Sequence, residues 1–160
     1  MRLVLAIDPG PESSGFAIMD GAIVVKCGSL SNQVMLSYAK EYPGKDVFIE
    51  MITSYGMAVG KEVFETCVWI GRFVQANPNP DQVRLIPRRD AKLHLCCSAK
   101  AKDTNVRQAI IDRYPAQGDG KCPQIGTKKN PGPLYGVTAH AWPAIAVAIT
   151  GMETSSAKKC

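Results

Sequence analysis

Met1-Arg-Leu-Val-Leu-Ala-Ile-Asp8-Pro9-Gly10 runs into Pro-Glu-Ser-Ser-Gly15-Phe-Ala-Ile-Met-Asp20, and the reading of this stretch decides the fold. An apolar run of strand length carries one carboxylate, Asp8, to its end. Pro9 removes a ladder donor and Gly10 accepts a positive φ, so the strand stops there and a tight turn opens. Gly15-Phe-Ala-Ile-Met then begins a second apolar run that can return antiparallel to the first. A buried strand ending in an aspartate and a Pro-Gly turn sets a charge at the edge of a sheet, where either a metal ion or a phosphate can sit. Nothing inside the stretch chooses between the two.

Asp20-Gly21 is a two-residue hairpin signal, so three strands are expected over 2–8, 15–20 and 22–29. Val34 to Lys40 reads as a short helix closed by Tyr42-Pro43-Gly44. Asp46-Val-Phe-Ile-Glu50 is another short apolar strand that ends in a carboxylate, and its connection through a helix sets it parallel to the first. Two strands that each deliver an acid to the same end of one sheet make a pair of carboxylates. After a glycine-punctuated loop containing Tyr55, the residues Val63, Phe64, Cys67, Val68, Ile70 and Val74 recur at helical spacing from Lys61 to Ala76. Asn77-Pro-Asn-Pro80 breaks that helix, and Gln82 to Ile86 forms a fifth strand ended by Pro87.

Arg88 to Leu95 reads as a short helix or turn. A further helix is expected from Asp103, as its N-cap, to Tyr114, with Pro115 marking its end. Residues 116–135, rich in Gly, Pro and Lys, are expected to form a surface loop. Residues 136–151 are almost wholly apolar and predict a buried helix starting near His140, with Pro143 in its first turn, where the missing amide costs little. One domain over 1–152 and a flexible polar tail over 153–160 complete the expected organisation.

A chain of 160 residues suits one domain with a substantial core. No apolar run approaches the roughly 18 residues of a membrane span, and the N-terminus has neither basic leader nor cleavage site, so no signal peptide is expected. Six scattered cysteines do not form a regular framework and suit reduced thiols in a cytoplasm. The net charge of +5 is uneven. Residues 1–83 hold 6 Lys/Arg against 9 Asp/Glu, whereas residues 84–129 hold 11 against 4, a net of +7. An acidic half beside a basic segment fits an enzyme acting on a polyanion; the alternative is a solvated charged surface.

Four places, in this order, resemble a RuvC-type Holliday-junction resolvase, particularly the small phage-encoded branch. They are Ile7-Asp8-Pro9-Gly10 with Gly15, Ile49-Glu50, the basic Lys92 to Arg107 segment, and His140-Ala-Trp-Pro-Ala-Ile-Ala-Val-Ala. The resemblance implies an α/β, ribonuclease H-like fold: a five-stranded mixed sheet flanked by helices. It also implies a Mg²⁺- or Mn²⁺-dependent endonuclease acting on branched DNA (four-way junctions, forks, flaps) in a bacterial or phage-infected host cytoplasm, with no membrane. In such sites carboxylates hold divalent ions, one activating the attacking water and the other stabilising the leaving 3′ oxygen. Hard oxygen ligands select Mg²⁺ or Mn²⁺.

By position, the resemblance makes Asp8 the bridging ligand and Glu50 a ligand of one ion. His140 stands where the family places an acid or a histidine, as ligand or general acid/base; as an isolated residue it would be a core histidine. Pro143 stands where the family has an aspartate, which leaves the site one acid short. Lys92 matches the first of two functional lysines, and Lys102 the second with a one-residue offset. Arg88, Arg89, Lys100, Arg107, Lys128 and Lys129 would widen the phosphate-contacting surface, and Tyr55 is a candidate for stacking on an unpaired base.

Symmetric cutting of a four-way junction needs two sites presented together, so a homodimer is expected. Helix 61–76, with Phe64, Trp69 and Phe73, is either its face or an ordinary core stripe. Competing readings are a nuclease of the same fold acting on flaps, forks or RNA-containing duplexes, a catalytically weak branched-DNA-binding protein, and an actin-like ATPase, which needs a much longer chain. A zinc site of His94, Cys96, Cys97 and Cys122 is disfavoured by the adjacent cysteines and the lack of any Cys-x-x-Cys pair.

Overall fold

The computed structural model describes residues 3–42 and 46–157, with side chains through Ser155. One mixed sheet holds β1 (Leu3–Asp8), β2 (Ser13–Asp20), β3 (Ile23–Ser31), β4 (Asp46–Met51) and β5 (Arg84–Pro87), in the order β3-β2-β1-β4-β5. The pairs β1–β2 and β2–β3 are antiparallel, and β1–β4 and β4–β5 are parallel. Around the sheet lie α1 (Asn32–Glu41), α2 (Lys61–Ala76), α3 (Arg88–Cys96), α4 (Asp103–Ile111) and α5 (Trp142–Ala157), with single 3₁₀ turns at Pro80–Gln82 and Ala139–Ala141. This is the α/β architecture expected from the sequence, a five-stranded mixed sheet flanked by helices. The expected Pro43-Gly44 stop after α1 lies outside the described residues.

Strand alternation divides the core in two, because successive side chains point to opposite faces. Val4, Ala6, Ala17, Met19, Phe48 and Ile86 pack with α4 and α5. Leu5, Ile7, Phe16, Val47 and Ile49 pack with α1 and α2. Helix α5 is buried on all sides from Ala144 to Thr150, as a helix without a polar stripe must be. It does not stop at Gly151. A Cβ there would stand 2.5 Å from the Phe48 ring, so this glycine serves a close helix-to-sheet approach. Arg84 reinforces the contact, with its guanidinium 5.5 Å from the Phe48 ring centroid and Nη1 donating to the Gly151 carbonyl at 3.1 Å. The polar stretch expected as a tail from Glu153 is therefore helical as far as Ala157.

On the other face, α2 buries Thr66, Ile70 and Phe73. Phe73 is thus core, and Trp69 packs partly buried beside it with ring centroids 5.8 Å apart. Phe64 and Val68, one turn apart, are each 62% exposed. The β1–β2 turn is tied down by Asn32, which is buried at the start of α1. Its Nδ2 donates to the Gly10 carbonyl at 2.9 Å, and its Oδ1 accepts from Ser14 Oγ at 2.6 Å.

Two local expectations change. Lys102, not Asp103, occupies the N-cap of α4, where Asn105 Oδ1 accepts from the Lys102 amide at 2.9 Å; Asp103 sits in the first turn and is free to face α3. The loop 116–135 has neither helix nor strand, yet its course is fixed. The amide of Gly118 donates to the Pro123 carbonyl, that of Gly132 to Ile125 and that of Leu134 to Gln124, while the Leu134 side chain is fully buried. Gly126 has φ +76°, and a Cβ there would stand 2.2 Å from the Gly132 amide nitrogen, so the loop closes on itself as only glycine permits.

Candidate active site

In the parallel β1–β4 pair Ile7 lies opposite Ile49, so Asp8 and Glu50 follow at the same level. Alternation from Val4, Ala6 and Phe48 puts both carboxylates on the face covered by α5. The next strand pairs Ile86 with Glu50 and Pro87 with Met51, and Arg88 opens α3 immediately beyond. Three neighbouring strands thus bring two acids and a guanidinium to one end of the sheet. β1 is the middle strand, hydrogen-bonded to β2 on one side and to β4, which the chain reaches through β3 and α1, on the other.

Across the hairpin Asp8 pairs with Gly15. A Cβ on Gly15 would stand 2.0 Å from the His140 carbonyl oxygen, so glycine is required for the Ala139–Ala141 turn to seat against β2. That seating brings His140 close enough for its charge to pull the Asp8 pKa down. The His140 side chain is exposed, which sets aside the core-histidine alternative; it precedes α5 instead of lying within it.

A cavity of about 350 Å³ opens between α3, α4 and the start of α5, with Glu50, Arg88, Lys92, Asp103, Arg107 and Pro143 on its wall. Beyond Glu50, a second cavity of about 490 Å³ adds Tyr55, Arg89 and Lys100 while sharing Glu50, Arg88 and Lys92. The result is a trough with Glu50 shared by its two halves and cations along its sides; Asp8 and His140 line neither cavity. Arg107 stacks 5.1 Å from the Trp142 ring centroid, and Tyr55 is 63% exposed. Lys102, Lys128 and Lys129 are exposed and lie outside both cavities; the two adjacent lysines ride a turn closed by a bridge between Gly126 and Pro131.

Burial is the main influence on the acidic pair. It raises Asp8 from 3.8 to about 6; Asp103 adds to the rise, while Arg88 and His140 oppose it. Glu50 rises from 4.5 to about 7, first through burial and then through the charge of Asp8, against Arg88 and Lys92. Arg88 connects the charges. Its Nη1 lies 3.7 Å from Glu50 Oε1, and its Nη2 donates to Asp103 Oδ1 at 2.9 Å. Burial works against its charge, but Glu50, Asp103 and Asp8 outweigh that and raise its pKa. Lys92 Nζ lies 3.9 Å from the same Asp103 oxygen.

Asp103 is the acid missed by the sequence reading: its place after Lys102 made it look like a cap, and nothing local signalled that it faces α3. Among the described residues, no three His, Cys, Asp or Glu side chains stand close enough together to hold an ion as they are placed. That also bears on the zinc reading: His94 Nε2 is 2.5 Å from Glu153 Oε2, and the exposed Cys97 closes α3 with φ 55°.

No family model and no curated protein matches the sequence. Solved structures do match. The structure of Thermus thermophilus RuvC superposes with a TM-score of 0.64 and 14% identity, covering 98% of this chain and 96% of that one. The T. thermophilus RuvC in complex with a Holliday junction substrate gives a TM-score of 0.69 and 15% identity over 99% and 97% of the two chains. The chain has the fold of RuvC. The superposition takes in nearly all of this chain, so β1, β4 and α5 are all parts of the shared fold. What the two share at this identity is the RuvC fold; the chemistry at its strand ends rests on Asp8, Glu50 and their neighbours.

Proposed function

We propose that this chain is a metal-dependent, structure-selective endodeoxyribonuclease that resolves four-way (Holliday) junctions by phosphodiester hydrolysis, of the small phage-encoded kind. The observation that carries the reading is the Asp8–Glu50 pair at the ends of adjacent parallel strands, on a fold shared end to end with a RuvC whose structure includes a Holliday junction substrate. The pair suits a divalent cation: both donors are hard oxygens, appropriate to Mg²⁺ or Mn²⁺, and burial makes their shared negative charge costly without a counter-charge. Asp8 and Glu50 would hold it, with His140 as a further donor. Such an ion, when bound, lowers the pKa of an attacking water and neutralises charge developing on the phosphate.

The other groups have roles set by where they stand. Lys92, beside Glu50 and only 21% exposed, offers a point charge to the phosphate under attack. Arg89, Lys100 and Arg107 line the trough and would hold the flanking backbone, and the exposed Lys102, Lys128 and Lys129, outside both cavities, would add further phosphate contacts. These contacts position a branched duplex without reading its sequence. Tyr55 stands at the mouth of the trough as a stacking surface for an unpaired base. Phe64 and Val68 on α2 supply an apolar strip for a two-fold homodimer, which would set two sites on one junction. Replacing both with serine should give a monomer in sedimentation that binds junctions but no longer makes paired, opposed nicks.

A second reading, a branched-DNA-binding protein with weak catalysis, is favoured by Pro143, which lines the cavity where the family has an aspartate. One experiment separates them: a labelled four-way junction with Mg²⁺ or Mn²⁺, comparing the parent with Asp8→Asn, Glu50→Gln and His140→Ala. Paired opposed nicks that vanish in the first two variants, with junction binding kept, support the nuclease; His140→Ala should lose most of the activity. Binding without cleavage at any protein concentration would support the second reading. Equal cutting of forks, flaps and RNA-containing duplexes without opposed nicks would remove the resolvase assignment.

A further inference from the structure

We infer that Arg88 is a built-in counter-ion of the acidic pair, which competes with the metal for Glu50 and is held ready by Asp103. The inference rests on the reading of Asp8 and Glu50 as metal ligands and goes beyond it by assigning Arg88 and Asp103 opposite effects on metal binding.

The geometry is specific. Arg88 spans two carboxylates from different elements, Glu50 on β4 and Asp103 on α4. The two contacts are unequal: Nη2 is 2.9 Å from Asp103 and Nη1 is 3.7 Å from Glu50. The looser contact is the one on the candidate metal ligand. Arg88 is 47% exposed on its side chain, so it can leave Glu50 without being pulled out of a packed core, whereas Glu50 is only 10% exposed and stays where β4 puts it. Two negative charges at neighbouring strand ends repel in a partly desolvated site, and the guanidinium is the strongest of the cations that now offset them. A metal ion arriving at Asp8 and Glu50 must take over that role, so the contact to Glu50 has to break. The shorter, charge-assisted contact to Asp103 keeps the freed guanidinium at the wall of the same cavity, where a phosphate would find it.

The groups facing the pair make this assignment testable. Lys92 also reaches toward Asp103, but at 3.9 Å, and it is the weaker of the two cations acting on Glu50. Arg88 is therefore the competitor to remove. If Asp103 acts through Arg88, its loss frees the guanidinium to lean fully on Glu50, which weakens metal binding. If Asp103 were itself a ligand, its loss would weaken binding whether or not Arg88 is present.

The test is Mn²⁺ titration of the DNA-free, full-length protein, followed by calorimetry and by the rise in Tm on adding Mn²⁺. Parent, Arg88→Gln, Arg88→Lys, Asp103→Asn and the Arg88→Gln/Asp103→Asn pair are compared, with circular dichroism to verify folding. Removing one cation a few ångströms from the ligands should tighten Mn²⁺ binding about tenfold in Arg88→Gln. Arg88→Lys, which keeps the charge, should return toward the parent. Asp103→Asn should weaken binding severalfold on its own and much less in the Arg88→Gln background, where only its direct charge is lost. Equal affinity in parent and Arg88→Gln, or an Asp103→Asn effect that is undiminished without Arg88, overturns the inference while leaving the metal reading in place. No Mn²⁺ binding by either parent or Arg88→Gln overturns both.

Discussion

The two faces of the sheet are built from the same strands by the same alternation, yet one is finished and the other is left open. Toward α1 and α2, the side chains Leu5, Ile7, Val47 and Ile49 meet Met35, Ile70 and Phe73 in an apolar layer that runs the length of β1 and β4. Toward α5, Val4, Ala6 and Phe48 begin an equally dry layer, but the next residues in the alternation are Asp8 and Glu50. There α5 has only begun, and the gap between its first turn, α3 and α4 is the cavity. One face therefore carries stability, and the other lends some of its stability to a site. That contrast can be broken from either side.

The largest effect should come from the open face. Asp8→Asn or Glu50→Gln should lower junction cleavage on the order of a thousandfold, the scale of losing a group that stabilises transition-state charge, while junction binding measured by gel shift stays near the parent. The matching blow to the finished face is Phe73→Ala. It should cost about 3–5 kcal/mol in denaturant unfolding, with cleavage per folded molecule unchanged. If Phe73→Ala altered the cleavage rate of the folded fraction, the two faces would not be separable as described.

A smaller change crosses between stability and site. Gly15→Ala must push the His140 turn off β2, at a cost of about 1–3 kcal/mol, with a fall in cleavage that exceeds the loss of folded protein. Unfolding with a chelator present, alongside cleavage rates, separates the two. Gentler still is pH. Both carboxyls titrate higher in the folded state than in the unfolded chain, Asp8 at about 6 and Glu50 at about 7. Below about pH 4 they are protonated in both states and impose no penalty; as pH rises toward 7 the unfolded chain ionises first, so metal-free stability falls and then levels. Tm measured against pH in chelator should show this slope, and Asp8→Asn should flatten it. The smallest effect belongs to the exposed pair Lys128 and Lys129. Changing both to Ala should weaken junction binding uniformly across sequences and reduce its salt slope by up to about 2.

Most of this contrast was legible in the sequence, because it depends on alternation and punctuation. The apolar runs ending in Asp8 and Glu50 placed both acids, and Pro87 placed the start of α3. What escaped was whatever depends on a distant neighbour. Gly151 looks like a helix stop in a sequence; only the Phe48 ring beneath it explains a glycine in mid-helix. Asp103 looks like a cap, until α4 packs beside α3 and turns it toward Arg88. Arg88 itself looked like one more phosphate-binding cation, since nothing in Pro87-Arg88-Arg89 reveals that the first guanidinium turns inward to Glu50 while the second lines the neighbouring cavity. Asn32, which ties the Gly10 turn to α1, gave no signal at all in a stretch of Ser, Leu and Gln.

If the proposed function holds, the self-closing loop that carries Lys128 and Lys129 sets how long a DNA arm must be. A slack lysine loop surrenders freedom on binding, about 1–2 kcal/mol for each residue frozen, and can stoop to reach a shorter arm. Here that freedom is lost already in folding, through the Gly118, Gly126 and Gly132 backbone contacts. On the proposed function, the two lysines would act as the jaw of a caliper with a set reach. Trimming a junction arm base pair by base pair should cost them their contact in one step, at a single arm length, and leave shorter arms bound equally well by the parent and the double-alanine variant.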